Sequence, residues 1–228
     1  MPDLTFLGIG SAFCPVLKNT AAFLRRGNAL YVLDFGSTVF GALHESGALE
    51  KASAVTVLVT HTHADHIGSL GTLISWCRHV CPLPVTVVHP DDSPARLLRL
   101  NGITEDQYTL HTGPDFNDGA LQAHFIAVPH TRSLTAYGIL LADRDERIYY
   151  SGDAGDIPPE IWNGFLSGDI ARVYQDMSLS GAMGGAHADY HWFLAHCPPA
   201  LRGRLFPIHL DQACLDSAKK DGFGLALR

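Results

Sequence analysis

Within Thr60-His61-Thr62-His63-Ala64-Asp65-His66, three imidazoles and a carboxylate fall in six positions. These are the donor types that hold a first-row divalent cation. For a chain with 13 His in 228 residues, the pattern H-x-H-x-D-H arises by luck in only about three such chains per thousand, so a chance match carries little weight. His61 and His63 are two apart and project to the same side of an extended segment, as two ligands of one ion must. Asp65 and His66 then require the chain to turn. The chemistry this cluster supports is metal-assisted hydrolysis, in which a bound cation lowers the pKa of water from about 16 to about 7 and makes a nucleophile at neutral pH. No side chain then has to serve as the nucleophile.

A catalytic pair of ions needs more donors than one heptapeptide supplies. Three later segments each close an apolar run with one: Val128-Pro129-His130, Tyr150-Ser151-Gly152-Asp153 and Phe206-Pro207-Ile208-His209. Taken singly, a His or Asp at a strand end is more commonly satisfied by backbone than by metal. Taken with the cluster, the three become candidate ligands that could meet at one rim.

The elements that would position them alternate. The β-branched run at 54–59 reads as a buried strand leading into the cluster, and 67–74 reads as a helix leaving it. Further strands are expected at 4–8, 21–25, 29–34, 84–89, 121–129, 136–142, 147–151, 170–175 and 204–208, with the cluster's own strand running 54–60. Helices are expected at 37–45, 66–77, 94–100, 158–166, 189–197 and 211–220. Pro158 and Pro159 suit a first helical turn, and Gly47, Gly102 and Gly168 suit helix ends. Strands alternating with helices indicate an α/β architecture, and ten strands are too many for one small open sheet. The chain, 1–228, reads as one domain.

The order H-x-H-x-D-H, single His, single Asp, final His resembles the metallo-β-lactamase-fold hydrolase superfamily. Phe6-Leu7-Gly8-Ile9-Gly10-Ser11-Ala12 and Val32-Leu33-Asp34-Phe35-Gly36 extend the resemblance over most of the chain. It implies an αβ/βα sandwich of two mixed sheets flanked by helices, with a dinuclear site along one edge. It further implies that His61, His63 and His130 hold a first Zn²⁺ and that Asp65, His66 and His209 hold a second. Asp153 would bridge the two and Asp34 would stand behind the ligands. Two ions about 3.5 to 4 Å apart can share a hydroxide and clamp substrate oxygens. Imidazole and carboxylate suit Zn²⁺ best, with Mn²⁺, Co²⁺ or Fe as other occupants of the same donors.

Asp153 bears on the substrate, because the β-lactamases of this fold lack that aspartate whereas phosphodiesterases, thioesterases and lactonases have one. The segments Val173-Tyr174-Gln175-Asp176-Met177, Gly185-Ala186-His187-Ala188-Asp189 and Arg204-Leu205-Phe206-Pro207-Ile208-His209 are similar to the ribonuclease Z-like phosphodiesterase branch, which includes anti-Pycsar-like enzymes acting on cyclic nucleotides. A phosphodiester needs its leaving alkoxide protonated, which makes His187 a candidate general acid and Asp176 its candidate orienting partner. A structural role for His187 stands beside that reading. Asp65 is expected to be catalytic through its metal. Only 22 residues lie between His130 and Asp153, too few for the long arm with which ribonuclease Z holds tRNA. A small phosphodiester such as a cyclic nucleotide leads. A lactonase or thioesterase comes second, a ribonuclease Z-type nuclease is disfavoured, and a metal-binding protein without turnover is a separate class.

Charge and composition set the outer limits. A net charge of −7 argues against long nucleic acid, whose affinity comes mostly from Lys and Arg neutralising phosphates. Two divalent ions would bring −7 + 4 to about −3 and concentrate positive potential in the cleft, which suits a small anionic substrate. Cys14, Cys77, Cys81, Cys197 and Cys214 form an odd set without C-x-x-C spacing, fitting reduced thiols. The N-terminal segment lacks the basic and cleavage signals of a leader, and no apolar run nears the roughly 18 residues of a membrane span. A cytoplasmic location without a membrane partner is expected. Enzymes resembling this branch are often homodimers, so a homodimer is an expectation by analogy.

Overall fold

A computed structural model describes residues 4–143, 146–180 and 185–226. Arg144 and Asp145, between the strands expected at 136–142 and 147–151, lie outside the described residues. The first half of the chain forms β1 (Thr5–Gly8), β2 (Ala21–Arg26), β3 (Ala29–Leu33), α1 (Val39–Glu45), β4 (Ala54–Leu58), α2 (Ala64–Ile67), α3 (Leu70–His79), β5 (Val85–His89), α4 (Ser93–Leu100) and β6 (Thr109–Thr112). The second forms β7 (Asp115–Asn117), β8 (Gln122–Val128), β9 (Ala136–Ala142), β10 (Arg147–Tyr150), α5 (Pro159–Ser167), β11 (Arg172–Asp176), α6 (Tyr190–His196), β12 (Leu205–Ile208) and α7 (Gln212–Asp221). Each half contributes one six-stranded sheet, in the orders β1-β2-β3-β4-β5-β6 and β12-β11-β10-β9-β8-β7.

Two-residue periodicity decides which side chains enter which layer. Along β3, Leu30 and Val32 face a layer formed with Val39, Leu43, Leu70, Leu73 and Ile74 of the outer helices, whereas Tyr31 and Leu33 face the second sheet. Strands buried on both faces read as continuous apolar runs, which is why β3, β4 and β5 are rich in Val and Leu. On the second sheet, the consecutive Tyr149 and Tyr150 are both fully buried. They point in opposite directions, as neighbours on a strand must.

Among the described residues twelve strands stand where ten were expected. The two additions, β6 and β7, are short and polar, Thr-Leu-His-Thr and Asp-Phe-Asn, and each is the edge of its sheet. Edge strands bury little, so they carry weak hydrophobic signatures. The helix expected at 66–77 is instead two helices, α2 and α3. Ser69 breaks it, with its N–H donating to the Phe35 carbonyl at 3.1 Å and its Oγ to the Gly36 carbonyl at 2.6 Å. This break ties the metal-cluster turn to the loop after β3. Helix ends follow the expected chemistry elsewhere, with Pro158 and Pro159 opening α5 and Gly168 closing it in the left-handed region at φ 92°.

Strand direction brings the chemistry to one edge. β3 and β4 are parallel, and so are β10, β11 and β12. β8 runs the same way as β10, being two antiparallel steps from it. The loops after β3, β4, β8, β10, β11 and β12 therefore open on a common rim. Bonds between the sheets pin that rim: Tyr137 N–H donates to the Thr60 carbonyl at 3.1 Å, Leu210 N–H to the Ile9 carbonyl at 2.8 Å, and His209 N–H to Thr20 Oγ1 at 3.1 Å. Among the described residues no helix is long and apolar enough to cross a membrane, and all five cysteines are free thiols.

Candidate metal centre

The rim gathers every ligand candidate. The donor atoms of His61, His63, His130 and Asp153 lie within 4.8 Å of one another, as do those of Asp65, His66, Asp153 and His209. Asp153 belongs to both groups, offering Oδ2 to the first side and Oδ1 to the second. The two halves of H-x-H-x-D-H are split by geometry: β4 has ended before His61, His63 stands in extended backbone just ahead of α2, and α2 has begun when Asp65 and His66 follow. The expected turn between the ligand pairs is thus the first turn of α2.

Outer hydrogen bonds fix which ring nitrogens face inward. His130 Nδ1 donates to the Ala186 carbonyl at 2.9 Å, and His66 Nδ1 donates to Asp34 Oδ2 at 2.8 Å. A neutral ring that spends its one N–H outward presents a lone pair on the other nitrogen. His61 Nε2 stands 3.0 Å and His130 Nε2 3.2 Å from His63 Nδ1. At most one of these contacts can be a hydrogen bond of His63. On the other side, His66 Nε2 and Asp153 Oδ1 are 2.9 Å apart, and both are buried atoms without a hydrogen-bond partner. Converging lone pairs and orphaned buried acceptors are what a cation would satisfy.

Charge says the same. Asp34, Asp153 and Asp176 are buried and Asp65 is nearly so, yet none pairs with a Lys or Arg among the described residues. Burial, and then His66, pushes the pKa of His61 well below its ordinary value, and burial with His130 lowers that of His63. Both are thereby kept neutral, the state that ligates. Burial opposes charge on His66 and His209, but Asp153 outweighs it at each, joined by Asp34 at the first and Asp65 at the second, and both pKa values rise. Burial would raise Asp153 and Asp65, but the same two rings reverse it and hold both carboxyls well below the usual range. Carboxylates that draw protons onto two rings would be neutralised more fully by two divalent ions, so the donor set fits a metal pair.

Behind the candidate ligands, Asp34 sits fully buried at φ 60°, a strained region for a residue other than glycine. His209 adopts φ 58°. Asp34 accepts from Thr60 N–H at 2.7 Å, Thr60 Oγ1 at 2.9 Å, Tyr150 Oη at 3.1 Å and His66 Nδ1. Thr60 and Tyr150 are contributors that motif reading does not single out, though both adjoin motif residues.

His187 and Asp176 also come together beside the two groups. His187 Nδ1 lies 2.7 Å from Asp176 Oδ2, and the His187 ring stacks on His209 at 4.9 Å and meets His130 edge-on at 5.4 Å. Burial would lower the His187 pKa, but the Asp176 carboxylate raises it to about 9. Asp176 is held in turn by Ala154 N–H at 3.0 Å. His191 and His196 lie on α6 outside this gathering, His196 stacking on Trp192 at 4.5 Å. Arg132 and Ser133 are exposed.

Two mixed sheets with outer helices and this rim define a metallo-β-lactamase-fold protein. The fold is shared with a diphosphatase from the PhnP family (TM-score 0.73, 15% identity, 97% of this chain and 93% of that one) and with human tRNase Z, short form (TM-score 0.70, 18% identity, 93% and 94%). Residues 2–227 match the family described as Anti-Pycsar protein Apyc1, and the chain belongs to that family. A relative of that name from Bacillus phage BSP38 is 27% identical over 246 residues, covering 96% of this chain and 93% of its own length.

Proposed function

We propose that the protein is a two-metal phosphodiesterase acting on a small phosphodiester, with a cyclic nucleotide as its substrate. The observation that carries the reading is the His187–Asp176 pair beside two donor groups that share Asp153. Membership of the Anti-Pycsar protein Apyc1 family agrees with it. His61, His63, His130 and Asp153 would hold one Zn²⁺, and Asp65, His66, His209 and Asp153 the other. Bound there, the ions supply Lewis acidity toward a phosphoryl oxygen and a water acidic enough to attack near neutral pH.

The chain's own residues do the rest. Asp34 orients His66 through its Nδ1, and the Ala186 carbonyl orients His130. Asp176 accepts the Nδ1 proton of His187 and so leaves Nε2 free to face the rim, where a proton on that atom can pass to the departing ester oxygen. A phosphodiester needs that proton because an alkoxide is a poor leaving group. A lactone or thioester opened by the same nucleophile depends on it less, and this ranks the carboxyl-ester reading second. The net charge of −7 disfavours extended nucleic acid and favours a small anionic group held by the ions.

The test is a screen of zinc-loaded protein against bis-p-nitrophenyl phosphate, cyclic 3′,5′-nucleotides, linear dinucleotides, lactones and thioesters. Cyclic nucleotides should turn over with the highest kcat/KM. Faster turnover of lactones or thioesters would move the protein to the second reading, and no turnover with Zn²⁺, Mn²⁺ or Co²⁺ would leave a binding protein.

A further inference from the structure

The Thr60 hydroxyl lies at the junction of both donor groups. Its Oγ1 is 2.9 Å from Asp34 Oδ1, 2.9 Å from Asp34 Oδ2 and 3.1 Å from His61 Nδ1. A hydroxyl has one proton and three neighbours here. The two carboxylate oxygens can only accept, so the hydroxyl donates to Asp34 and receives from His61. His61 therefore carries its proton on Nδ1 and turns a lone pair on Nε2 toward His63 and Asp153. Asp34 acts on the second group directly, through the 2.8 Å bond from His66 Nδ1. One buried carboxylate thus sets the tautomer of one histidine in each group, the first through Thr60 and the second without an intermediary.

Packing holds the junction in place. Thr60 is completely buried. A Cβ placed on Gly152 would fall 2.7 Å from Thr60 Cβ, so the absence of a side chain beside Asp153 is what admits Thr60. The side chain touches both the loop that carries the shared carboxylate and the strand that leads to His61.

We propose that Thr60 is a positioning residue that couples the two halves of the metal centre, by relaying Asp34 to His61 through its hydroxyl. This rests on the two-metal reading given above. Hydrogen bonds behind metal ligands typically govern about 10- to 100-fold in metal affinity. The Thr60→Val variant keeps the shape of the side chain and removes the relay, whereas Thr60→Ser keeps the relay and removes the methyl.

The experiment is a zinc titration of wild type, Thr60→Val and Thr60→Ser against a competing chromophoric chelator, with the melting temperature of each recorded. Thr60→Val should bind its tighter or its weaker ion about 10- to 100-fold less well, and Thr60→Ser should restore it. Unchanged affinity for both ions in Thr60→Val, whatever its melting temperature, overturns the relay. Failure of the wild type to take up two ions would instead remove the metal-centre reading itself. Should Thr60→Val not fold, ¹⁵N-histidine NMR of the zinc-loaded wild type decides. A proton on His61 Nδ1 is the expected result, and a ring protonated on Nε2 or bound to metal through Nδ1 overturns the proposal.

Discussion

His187 Nδ1 donates to Asp176 Oδ2 across 2.7 Å, joining an imidazole about one quarter exposed to a carboxylate that is essentially buried. The acceptor cannot follow the ring outward, so the bond fixes which edge of His187 faces the rim. A general acid contributes about 10²- to 10⁴-fold where the leaving group is basic. His187→Ala should therefore slow hydrolysis of an alkyl phosphodiester by that order, and a p-nitrophenyl ester far less. Rates on the two substrates measured side by side check this. Equal slowing of both would remove the proton-donor role and leave His187 as packing against His209.

Asp65 offers a different separation. It stands at the first turn of α2, 3.3 Å from both His66 Nε2 and His209 Nε2, and contributes nothing to the apolar core. Asp65→Ala should lower bound metal from about two ions toward one and abolish turnover while circular dichroism stays native. Metal analysis of the purified variant is the measurement, and full metal content with full activity would sink the assignment of Asp65 as a ligand.

The gathering of candidate donors was legible in sequence because a metal site would impose residue type and spacing at once, and strand ends supply the rim. The side chains of His61, His63, Asp65, His66, His130, Asp153 and His209 are gathered into two groups, within each of which the donor atoms lie within 4.8 Å of one another. The supporting atoms were less visible. Tyr150 is one of two adjacent tyrosines, and only the register of β10 reveals which faces Asp34. Thr60 looks like the last residue of a strand, and its role depends on Asp34, 26 positions away. The polar edge strands β6 and β7 escaped because a strand paired on one side need not be apolar. The split between α2 and α3 escaped because Ser69 is recruited by carbonyls at 35 and 36.

Gly36 is a place where fold and site meet. A Cβ there would fall 1.8 Å from the Asp65 carbonyl oxygen, and backbone cannot yield as a flexible side-chain end can. Gly36→Ala should displace the α2 turn, at an overpacking cost of about 1–3 kcal/mol. Both metal content and melting temperature should fall. A variant with wild-type metal content and stability would show that the approach of these two loops is not tight.

Acid stability should report on a contact far from the rim. Tyr31, buried on β3, donates from Oη to Asp118 Oδ2 at 2.5 Å, and Asp118 Oδ1 accepts from the N–H groups of Ala120 and Leu121 at 2.9 and 3.0 Å. The bond joins the first sheet to the β7–β8 turn of the second. Burial would raise the Asp118 pKa, but Tyr31 and the two backbone donors outweigh it and hold the carboxyl below its ordinary value. A folded-state pKa below the unfolded one gives stability that is present above about pH 4, the unfolded value, and is lost as pH falls through the folded one. Asp118→Asn removes this dependence while leaving an oxygen to accept. The variant should melt below wild type at pH 7, and the gap should shrink toward pH 2. Because carboxylates elsewhere titrate in both proteins, only the difference between the two melting curves tests the contact, and a gap independent of pH would show that Asp118 does not act through its charge.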